Sequence, residues 1–259
     1  RLSQKYTMER FGKTISMFVP LYLTNSCTNS CVYCGFHISN PMKRTILTEE
    51  EMVNEYKAIK KLAPFENLLL VTGENPAAAG VPYIARALDL AKPYFSNLQI
   101  EVMPLKAEEY KELTHHGLNG VICFQETYNK ENYEALHPTG PKHDYAYHTE
   151  AMDRAMQGGI DDVGIGVLFG LNTFRYDFVG LLMHAEHLEA TFGVGPHTIS
   201  VPRICPADDI DTADFPNSIS DEIFRRIVAV IRIAVPYTGM IISTRESQES
   251  RRQVLDIGI

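Results

Sequence analysis

The sequence predicts an α/β fold of the TIM (βα)-barrel type, with residues 1–259 forming a single domain. Two observations lead to this class. Short apolar runs alternate with amphipathic stretches along the chain, which is typical of βα units around a mostly parallel sheet. The length of 259 residues with 45% hydrophobic content also allows one large core. A doubly wound open sheet is the alternative, because periodicity alone does not separate the two folds.

Seven segments are predicted to be strands. Each is a short run rich in branched and aromatic residues, with turn-forming residues beside it. In chain order they are 17–23, 67–73, 98–104, 120–126, 162–170, 197–203 and 239–245. The chain begins at Arg1 and ends at Ile259 in a helix-like segment, so we expect a fragment of a longer chain that carries the last barrel unit.

Helix signals separate these strands. Thr48 stands three residues before Glu51 at the start of an amphipathic stretch, which is the arrangement of a capping box. Two further helical patterns end in glycine, as left-handed C-caps do, and another begins at a serine. These three patterns span 107–117, 149–159 and 220–235.

Composition excludes several classes of partner. The formal net charge is −8, and no run of Lys or Arg exceeds two residues, which argues against nucleic acid. No apolar stretch reaches 18 residues and no signal-peptide layout opens the chain, so we expect no membrane partner. Five cysteines, an odd and clustered set, indicate a reducing compartment, and we expect a cytoplasmic protein.

Three of the five cysteines form a cluster directly after the first predicted strand. Cys27, Cys31 and Cys34 are separated by three and then two residues. In a barrel, the loops after the strands carry the chemistry. Structural zinc needs four ligands, and Cys123 and Cys205 stand alone. Incidental thiols are a second alternative. An iron–sulfur cluster held by three thiolates is the third, and it leaves one iron open to another ligand.

This spacing, with aromatic Tyr33 just before Cys34, resembles the signature of the radical SAM superfamily. The resemblance implies that the three cysteines are metal ligands to a [4Fe–4S] cluster, whose open iron binds S-adenosyl-L-methionine. The reduced cluster then cleaves that cofactor and releases a 5′-deoxyadenosyl radical. The missing fourth cysteine is thereby explained, because the cofactor takes its place.

The resemblance also implies a set of cofactor contacts. The segment "TGEN" ends the second strand, and its carboxylate suits the ammonium group of the cofactor, although a solvated turn is the alternative. The glycines of "GIGVLFG" permit either close approach of adenine or tight strand packing. An aromatic residue after the third cysteine contacts adenine or anchors the loop. The candidate cofactor-binding residues are Tyr33, Phe36, Gly73, Glu74, Gly164, Gly166 and Arg203.

Longer segments resemble two radical SAM tyrosine lyase families. "RFGKTISMFVPLYLTNSC" and "FQETY", in the N-terminal half, resemble 2-iminoacetate synthase of thiamine thiazole biosynthesis. "HPTGPKHDYAYHTEAMDRAMQGGIDDVGIGVLFGL" and "FGVGPHTISVPR", in the C-terminal half, resemble the tyrosine lyase that matures [FeFe]-hydrogenase. Both resemblances imply cleavage of the Cα–Cβ bond of L-tyrosine to dehydroglycine (2-iminoacetate) and p-cresol. In the maturase, dehydroglycine goes on to carbon monoxide and cyanide.

The same resemblance implies partners. These are L-tyrosine, an electron donor such as flavodoxin or ferredoxin, and a downstream thiazole synthase or hydrogenase maturation scaffold. A metal hydrolase that does not use S-adenosylmethionine is a distant alternative, and a simple electron-transfer module is disfavoured because one iron is left open.

Substrate contacts are expected at the ends of two strands. Arg245 is the candidate clamp for the tyrosine carboxylate, since a guanidinium matches that group in a bidentate way. Its alternative is an ion pair with Glu249. Ser243 lies two residues earlier on the same predicted strand face. Gln125 and Glu126 end the fourth strand, where they can reach either the substrate or the ribose hydroxyls of the cofactor.

Three histidines follow the fourth strand at spacings that match no standard zinc site. His137, His143 and His148 are interpreted as surface or loop-packing residues, with proton transfer by one of them as the less favoured alternative.

Overall fold

The strands form one sheet whose order follows the chain. The computed structural model of the protein describes residues 1–207 and 210–259. Its seven-stranded sheet has the order β1-β2-β3-β4-β5-β6-β7, and the strand pairs whose register is described are parallel. A doubly wound sheet reverses its strand order partway along the chain. The α/β class with the strand order of a (βα) barrel is therefore confirmed, and the doubly wound alternative is wrong.

All seven predicted strands are present, but β2, β3 and the last three are shorter than predicted, and β6 and β7 lose the most. Pro202 follows β6 and has no N–H for the sheet, which explains why that strand does not continue through residue 203. After β7, the Ser243 hydroxyl accepts a hydrogen bond from the Arg245 N–H, and this turn replaces the predicted extended backbone. The strands are β1 (Phe18–Thr24), β2 (Asn67–Thr72), β3 (Asn97–Glu101), β4 (Gly120–Glu126), β5 (Asp162–Val167), β6 (Thr198–Ser200) and β7 (Gly239–Ile241).

Helices occupy the connections between strands. They are α1 (Leu2–Arg10), α2 (Glu49–Leu62), α3 (Val81–Ala91), α4 (Ala107–His115), α5 (Lys130–Leu136), α6 (Tyr145–Thr149), α7 (Ala151–Gln157), α8 (Phe174–Phe192), α9 (Asp221–Ala234) and α10 (Gln248–Leu255). Short 3₁₀ turns span Pro141–His143 and Thr212–Asp214. Within the described part of the chain, no helix combines the length and the apolar character needed to cross a membrane.

The predicted helix ends are confirmed in detail. Thr48 and Glu51 form a capping box, in which each side chain accepts a hydrogen bond from the backbone N–H of the other. The Ser220 hydroxyl caps α9 by accepting from the Ile223 N–H. Gly117 and Gly159 have φ of 90° and 91°, the left-handed backbone that glycine adopts at little cost.

The chain divides into two compact units. The β1–β3 unit comprises residues 16–123 and 136–163, and the β6–β7 unit comprises 1–15, 124–135 and 164–259. In the β1–β3 unit, β2 is almost wholly buried, and the buried Tyr56 of α2 donates a hydrogen bond to the Ala87 carbonyl of α3. In the β6–β7 unit, buried Arg232 of α9 donates to the carbonyls of Gly258 and Thr238. That residues 1–259 form a single domain stays a prediction.

Candidate functional site

The cysteine cluster lies on the loop after β1, in the β1–β3 unit. Cys31 is 5% exposed, Cys27 and Cys34 are half-buried, and none of the three forms a disulfide. The Cys34 N–H donates to the Cys31 carbonyl at 3.3 Å, so the loop turns between these two residues. In the described residues, no three His, Cys, Asp or Glu side chains converge as they would on a single metal ion. An iron–sulfur cluster is a larger group than one ion, so its thiolates need not converge in this way.

The end of β2 holds this loop through the predicted Gly-Glu element. The Glu74 Oε2 accepts from Asn29 Nδ2 at 2.8 Å, and the Glu74 carbonyl accepts from the backbone N–H and the hydroxyl of Thr28. A Cβ on Gly73 would lie 2.3 Å from the carbonyl oxygen of Ser26, so only glycine fits here. Glu74 is therefore a half-buried carboxylate fixed beside the cysteine loop, and the alternative of a solvated turn is wrong.

An arginine missed by sequence reasoning fixes the far end of the loop. The Arg44 guanidinium donates to four backbone carbonyls at 2.7–3.1 Å, those of Asn25, Phe36, His37 and Asn40. The Phe36 ring packs edge-on against Tyr22, with ring centroids 5.9 Å apart. Phe36 therefore has the loop-anchoring role, and its contact with adenine stays a prediction.

Tyr33 is held by one of the three histidines. Its hydroxyl lies 2.7 Å from His137 Nε2, and the rings meet edge-on. His137 is fully buried and its carbonyl lies 2.6 Å from His143 Nδ1. His148 is also buried, with its Nε2 3.6 Å from the Cys123 sulfur. Loop packing is therefore the correct interpretation for His137, and surface exposure is wrong for both His137 and His148.

The end of β4, in the β6–β7 unit, carries two buried polar residues. Gln125 is 3% exposed, and its Oε1 has no hydrogen-bond partner among the described residues. Glu126 is 8% exposed and has φ of 69°, the single non-glycine residue with positive φ in ranges 1–207 and 210–259. Its carbonyl accepts from the Leu168 N–H at 3.0 Å. Such strain persists where surrounding structure enforces it, and it clusters at functional sites.

The two candidate glycines lie in β5. Gly164 and Gly166 pair in register with Thr198 and Ser200 of β6. A Cβ on Gly166 would lie 2.9 Å from the Phe124 ring and 3.0 Å from the Ser200 carbonyl oxygen. Tight strand packing therefore accounts for Gly166, and the approach of adenine to this strand stays a prediction.

Arg203 is engaged within the protein. Its guanidinium forms a two-point ion pair with Glu246, donates to Asp221 Oδ1 at 2.8 Å, and lies over the ring of Phe224. The hydrogen bond with Glu246 is the main cause that raises the pKa of Arg203 above its usual range. Glu246 is nearly buried and also accepts from the Ser250 hydroxyl. A cofactor contact by Arg203 stays a prediction, and it would compete with this pair.

Ser243 and Arg245 lie beyond the last strand. Because β7 ends at Ile241, their predicted placement on one strand face is wrong. The Arg245 side chain is exposed, and its Nη2 donates to the Pro206 carbonyl at 2.7 Å. Its hydrogen-bond partner is therefore Pro206, whereas the alternative considered above was an ion pair with Glu249. Binding of a carboxylate by Arg245 stays a prediction.

The candidate residues therefore fall into one group in each unit. The cysteines, Tyr33, Phe36, Gly73 and Glu74 belong to the β1–β3 unit, and the other candidates belong to the β6–β7 unit. Sequence reasoning missed three residues that hold these groups: Asn29, Arg44 and Asp177, whose carboxylate accepts from Thr127 and Tyr128 after β4. It also missed the contact of His137 with Tyr33. Asn29, inside the cysteine motif, is the one with a sequence signal.

Family models match most of the chain. The model described as the radical SAM superfamily matches residues 21–182, and the Biotin and Thiamin Synthesis associated domain matches residues 200–259. Together they cover every predicted strand except the first part of β1 and the start of β6.

Individual relatives agree with both families named from the sequence. The chain is 40% identical to 2-iminoacetate synthase of Escherichia coli, over 99% of this chain and 68% of the relative. A crystal structure of HydG, a maturase of the [FeFe]-hydrogenase, matches with 44% identity and a TM-score of 0.98, over 100% of this chain and 58% of that one. HydG from Carboxydothermus hydrogenoformans matches with 37% identity and a TM-score of 0.91, over 99% and 60%.

Both relatives align with nearly the whole chain, so the division of the resemblance into two halves stays a prediction. The chain spans less than two thirds of either maturase chain. The superfamily model matches more than half of the chain, and the synthase exceeds 30% identity over two thirds of its own length. The chain therefore belongs to the radical SAM superfamily.

Proposed function

We propose that this protein is a radical SAM lyase that cleaves the Cα–Cβ bond of L-tyrosine to dehydroglycine and p-cresol, in thiamine thiazole biosynthesis. The observation that carries the proposal is the 40% identity to 2-iminoacetate synthase along 99% of the chain. The match of residues 200–259 to a domain associated with biotin and thiamin synthesis supports the same pathway.

The residues of the cysteine loop fit the cofactors of this superfamily, a [4Fe–4S] cluster and S-adenosyl-L-methionine. Cys27, Cys31 and Cys34 lie on one loop, form no disulfide and would hold the cluster. The Glu74 carboxylate, oriented by Asn29, would accept the ammonium group of S-adenosylmethionine. When bound, these cofactors supply a radical that removes a hydrogen atom from the substrate.

The chain's own contribution at this loop is to fix the three thiols in advance. Arg44 and Glu74 tie the loop at its two ends, and the loop backbone also donates to the 136–139 segment, through Val32 and Ser30. A loop held in this way loses little conformational entropy when the cluster binds. The hydrogen bond between the Tyr33 hydroxyl and His137 Nε2 fixes the orientation of the Tyr33 ring.

Four residues are proposed for the substrate. The buried Oε1 of Gln125 needs a donor, and a tyrosine hydroxyl or ammonium group would provide one. The Glu126 carboxylate would hold a cation such as the ammonium group. Arg245 would bind the tyrosine carboxylate, and the Ser243 hydroxyl would donate to the same carboxylate. The Arg245 guanidinium would either keep its hydrogen bond to the Pro206 carbonyl while binding the carboxylate or give it up.

A second candidate function is the tyrosine lyase step of [FeFe]-hydrogenase maturation, which feeds carbon monoxide and cyanide synthesis. The TM-score of 0.98 and 44% identity to HydG favour it. Tyrosine cleavage is common to both candidates, so they differ in the acceptor of dehydroglycine. Membership of the radical SAM superfamily removes the reason for the metal-hydrolase alternative.

Partners and location belong to the same proposal. The electron donor would be a flavodoxin or ferredoxin, and dehydroglycine would pass to a thiazole synthase or, for the second candidate, to a hydrogenase maturation scaffold. The protein would act in the cytoplasm, where thiols remain reduced.

The test is an anaerobic assay of the reconstituted protein with S-adenosylmethionine, dithionite and L-tyrosine. Mass spectrometry should detect 5′-deoxyadenosine, p-cresol and glyoxylate, the hydrolysis product of dehydroglycine. The variants Cys27→Ala, Cys31→Ala and Cys34→Ala should lose all three products, whereas Cys123→Ala, outside the loop, should retain them. Deoxyadenosine without p-cresol, from protein with an intact cluster, would exclude tyrosine as the substrate.

A further inference from the structure

A buried carboxylate contacts the segment that follows β4, within the β6–β7 unit. Asp177 is in the first turn of α8 and is 0% exposed. Its Oδ1 accepts from the Thr127 hydroxyl at 2.8 Å and from the Tyr128 N–H at 2.9 Å. One carboxylate oxygen therefore binds two donors of the segment that directly follows Gln125 and Glu126.

The environment of Asp177 is unfavourable for a charge. Burial raises the pKa of Asp177, and the hydrogen bonds from Tyr128 and Thr127, with a weaker contribution from the Asn172 side chain, act against this rise. Its Oδ2 and the nearby Asn172 Nδ2 are both buried, and neither makes a hydrogen bond of ordinary geometry within the described residues. Burying a carboxylate costs stability unless hydrogen bonds compensate for the lost water. Because the pKa of Asp177 stays raised, its hydrogen bonds to Thr127 and Tyr128 offset this cost only in part.

The segment held by Asp177 is the strained corner after β4. Thr127 is fully buried, its N–H donates to the Gln125 carbonyl at 2.9 Å, and its hydroxyl accepts from the Asn129 N–H at 3.2 Å. Glu126 has left-handed backbone, and its carbonyl is fixed by the Leu168 N–H. The strained residue thus lies between two anchors, Leu168 on one side and Thr127 bound to Asp177 on the other.

We propose that Asp177 is a positioning residue, which holds Thr127 and Tyr128 and thereby sets the directions of the Gln125 and Glu126 side chains toward the substrate. This proposal rests on the proposed function. It is supported by Gln125, whose buried Oε1 has no hydrogen-bond partner within residues 1–207 and 210–259 and so indicates a polar ligand at this corner. Without Asp177, two donors lose their acceptor and Glu126 can relax to an unstrained backbone.

The first test replaces the carboxylate. Asp177→Ala should accelerate hydrogen–deuterium exchange at the Tyr128 amide at least about tenfold, because that N–H loses its acceptor. With tyrosine, it should lower kcat/KM by about 10- to 100-fold and lower the yield of p-cresol per 5′-deoxyadenosine, since small misplacements of reacting groups cost this much. Asp177→Asn keeps an oxygen acceptor and should recover most of both effects. Exposed Asp161→Ala is the matched control and should change neither.

A second pair of variants covers the case in which Asp177→Ala does not fold. Thr127→Val removes one donor and leaves the carboxylate in place, and it should lower the yield of p-cresol per deoxyadenosine, whereas Thr127→Ser should preserve it. Cluster absorbance should match the wild type in every variant, because the cysteine loop is untouched.

The proposal is overturned if Asp177→Ala lowers the melting temperature but leaves Tyr128 exchange, KM and product ratio within twofold of the wild type. In that case Asp177 is only structural. If wild-type protein with an intact cluster forms no p-cresol, the proposed function fails. The exchange rate at Tyr128 still decides whether Asp177 holds this corner.

Discussion

Replacing Gly73 with alanine should displace the cysteine loop. The added Cβ would lie 2.3 Å from the Ser26 carbonyl oxygen and 2.8 Å from its carbon, and both atoms are backbone. No side chain can rotate away, so the loop must retreat by roughly 0.7 Å to reach the shortest contact that Cβ atoms show. Cys27 follows Ser26 directly, so this movement reaches the first thiol.

The cost of this substitution follows from its steric origin. Overpacking of this kind costs about 1–3 kcal/mol, which lowers the melting temperature of a protein this size by about 2–12 °C. A shift approaching 1 Å at a reacting centre reduces turnover by up to about 100-fold. Gly73→Ala should therefore remain folded at assay temperature while its formation of 5′-deoxyadenosine falls by up to about 100-fold.

The assay compares iron content, melting temperature and 5′-deoxyadenosine formation of Gly73→Ala with those of Gly239→Ala. The Cβ of Gly239→Ala would contact Thr198 Cγ2 at 3.3 Å, so this variant tests an added methyl group without a severe clash, in the β6–β7 unit. The reasoning is refuted if Gly73→Ala binds iron and forms deoxyadenosine at wild-type levels.

Three further predictions concern Arg44, Glu246 and Asp177. Arg44→Ala leaves four loop carbonyls without their donor and should at least halve the iron retained after reconstitution. The control variant Arg175→Ala, at an exposed position, should retain the wild-type amount of iron. Equal iron in the two variants would contradict the anchoring role of Arg44. Glu246→Gln breaks a buried ion pair and should lower the free energy of unfolding, measured in urea, by about 3 kcal/mol. The control variant Glu249→Gln, at an exposed position, should change it little. A decrease below about 1 kcal/mol for Glu246→Gln would contradict this prediction. Because burial raises the pKa of Asp177, the native state holds the aspartate proton at pH values where the unfolded chain has released it. The stability of the wild type relative to Asp177→Asn should therefore fall as the pH rises from the ordinary aspartate range through the raised pKa. A stability difference that does not change with pH would contradict this.

Much of the fold could be predicted because its signals are local. The apolar runs of the strands and the pairing of Thr48 with Glu51 lie within a few residues of one another. The ends of β6 and β7 could not be predicted from apolar runs, because the apolar residues Val201 and Ile242 continue past the ends of the strands, before Pro202 and the Ser243 turn.

The candidate site also combines features with local sequence signals and features that depend on distant residues. The three cysteines could be predicted because eight consecutive residues carry the spacing. The contacts that hold the site join residues far apart in sequence, 104 positions for Tyr33 and His137, 50 for Thr127 and Asp177, and 43 for Arg203 and Glu246. No local sequence pattern indicates such pairs.

The most direct test of the central claim, that a radical generated at the cysteine loop acts on tyrosine, is deuterium transfer in heavy water. In the proposed reaction, the radical takes a hydrogen atom from the amine or phenol group of tyrosine, and the hydrogens of both groups exchange with solvent. With tyrosine present, 5′-deoxyadenosine should gain one deuterium in proportion to the p-cresol released. Unlabelled deoxyadenosine, or label that forms equally without tyrosine, would contradict the account.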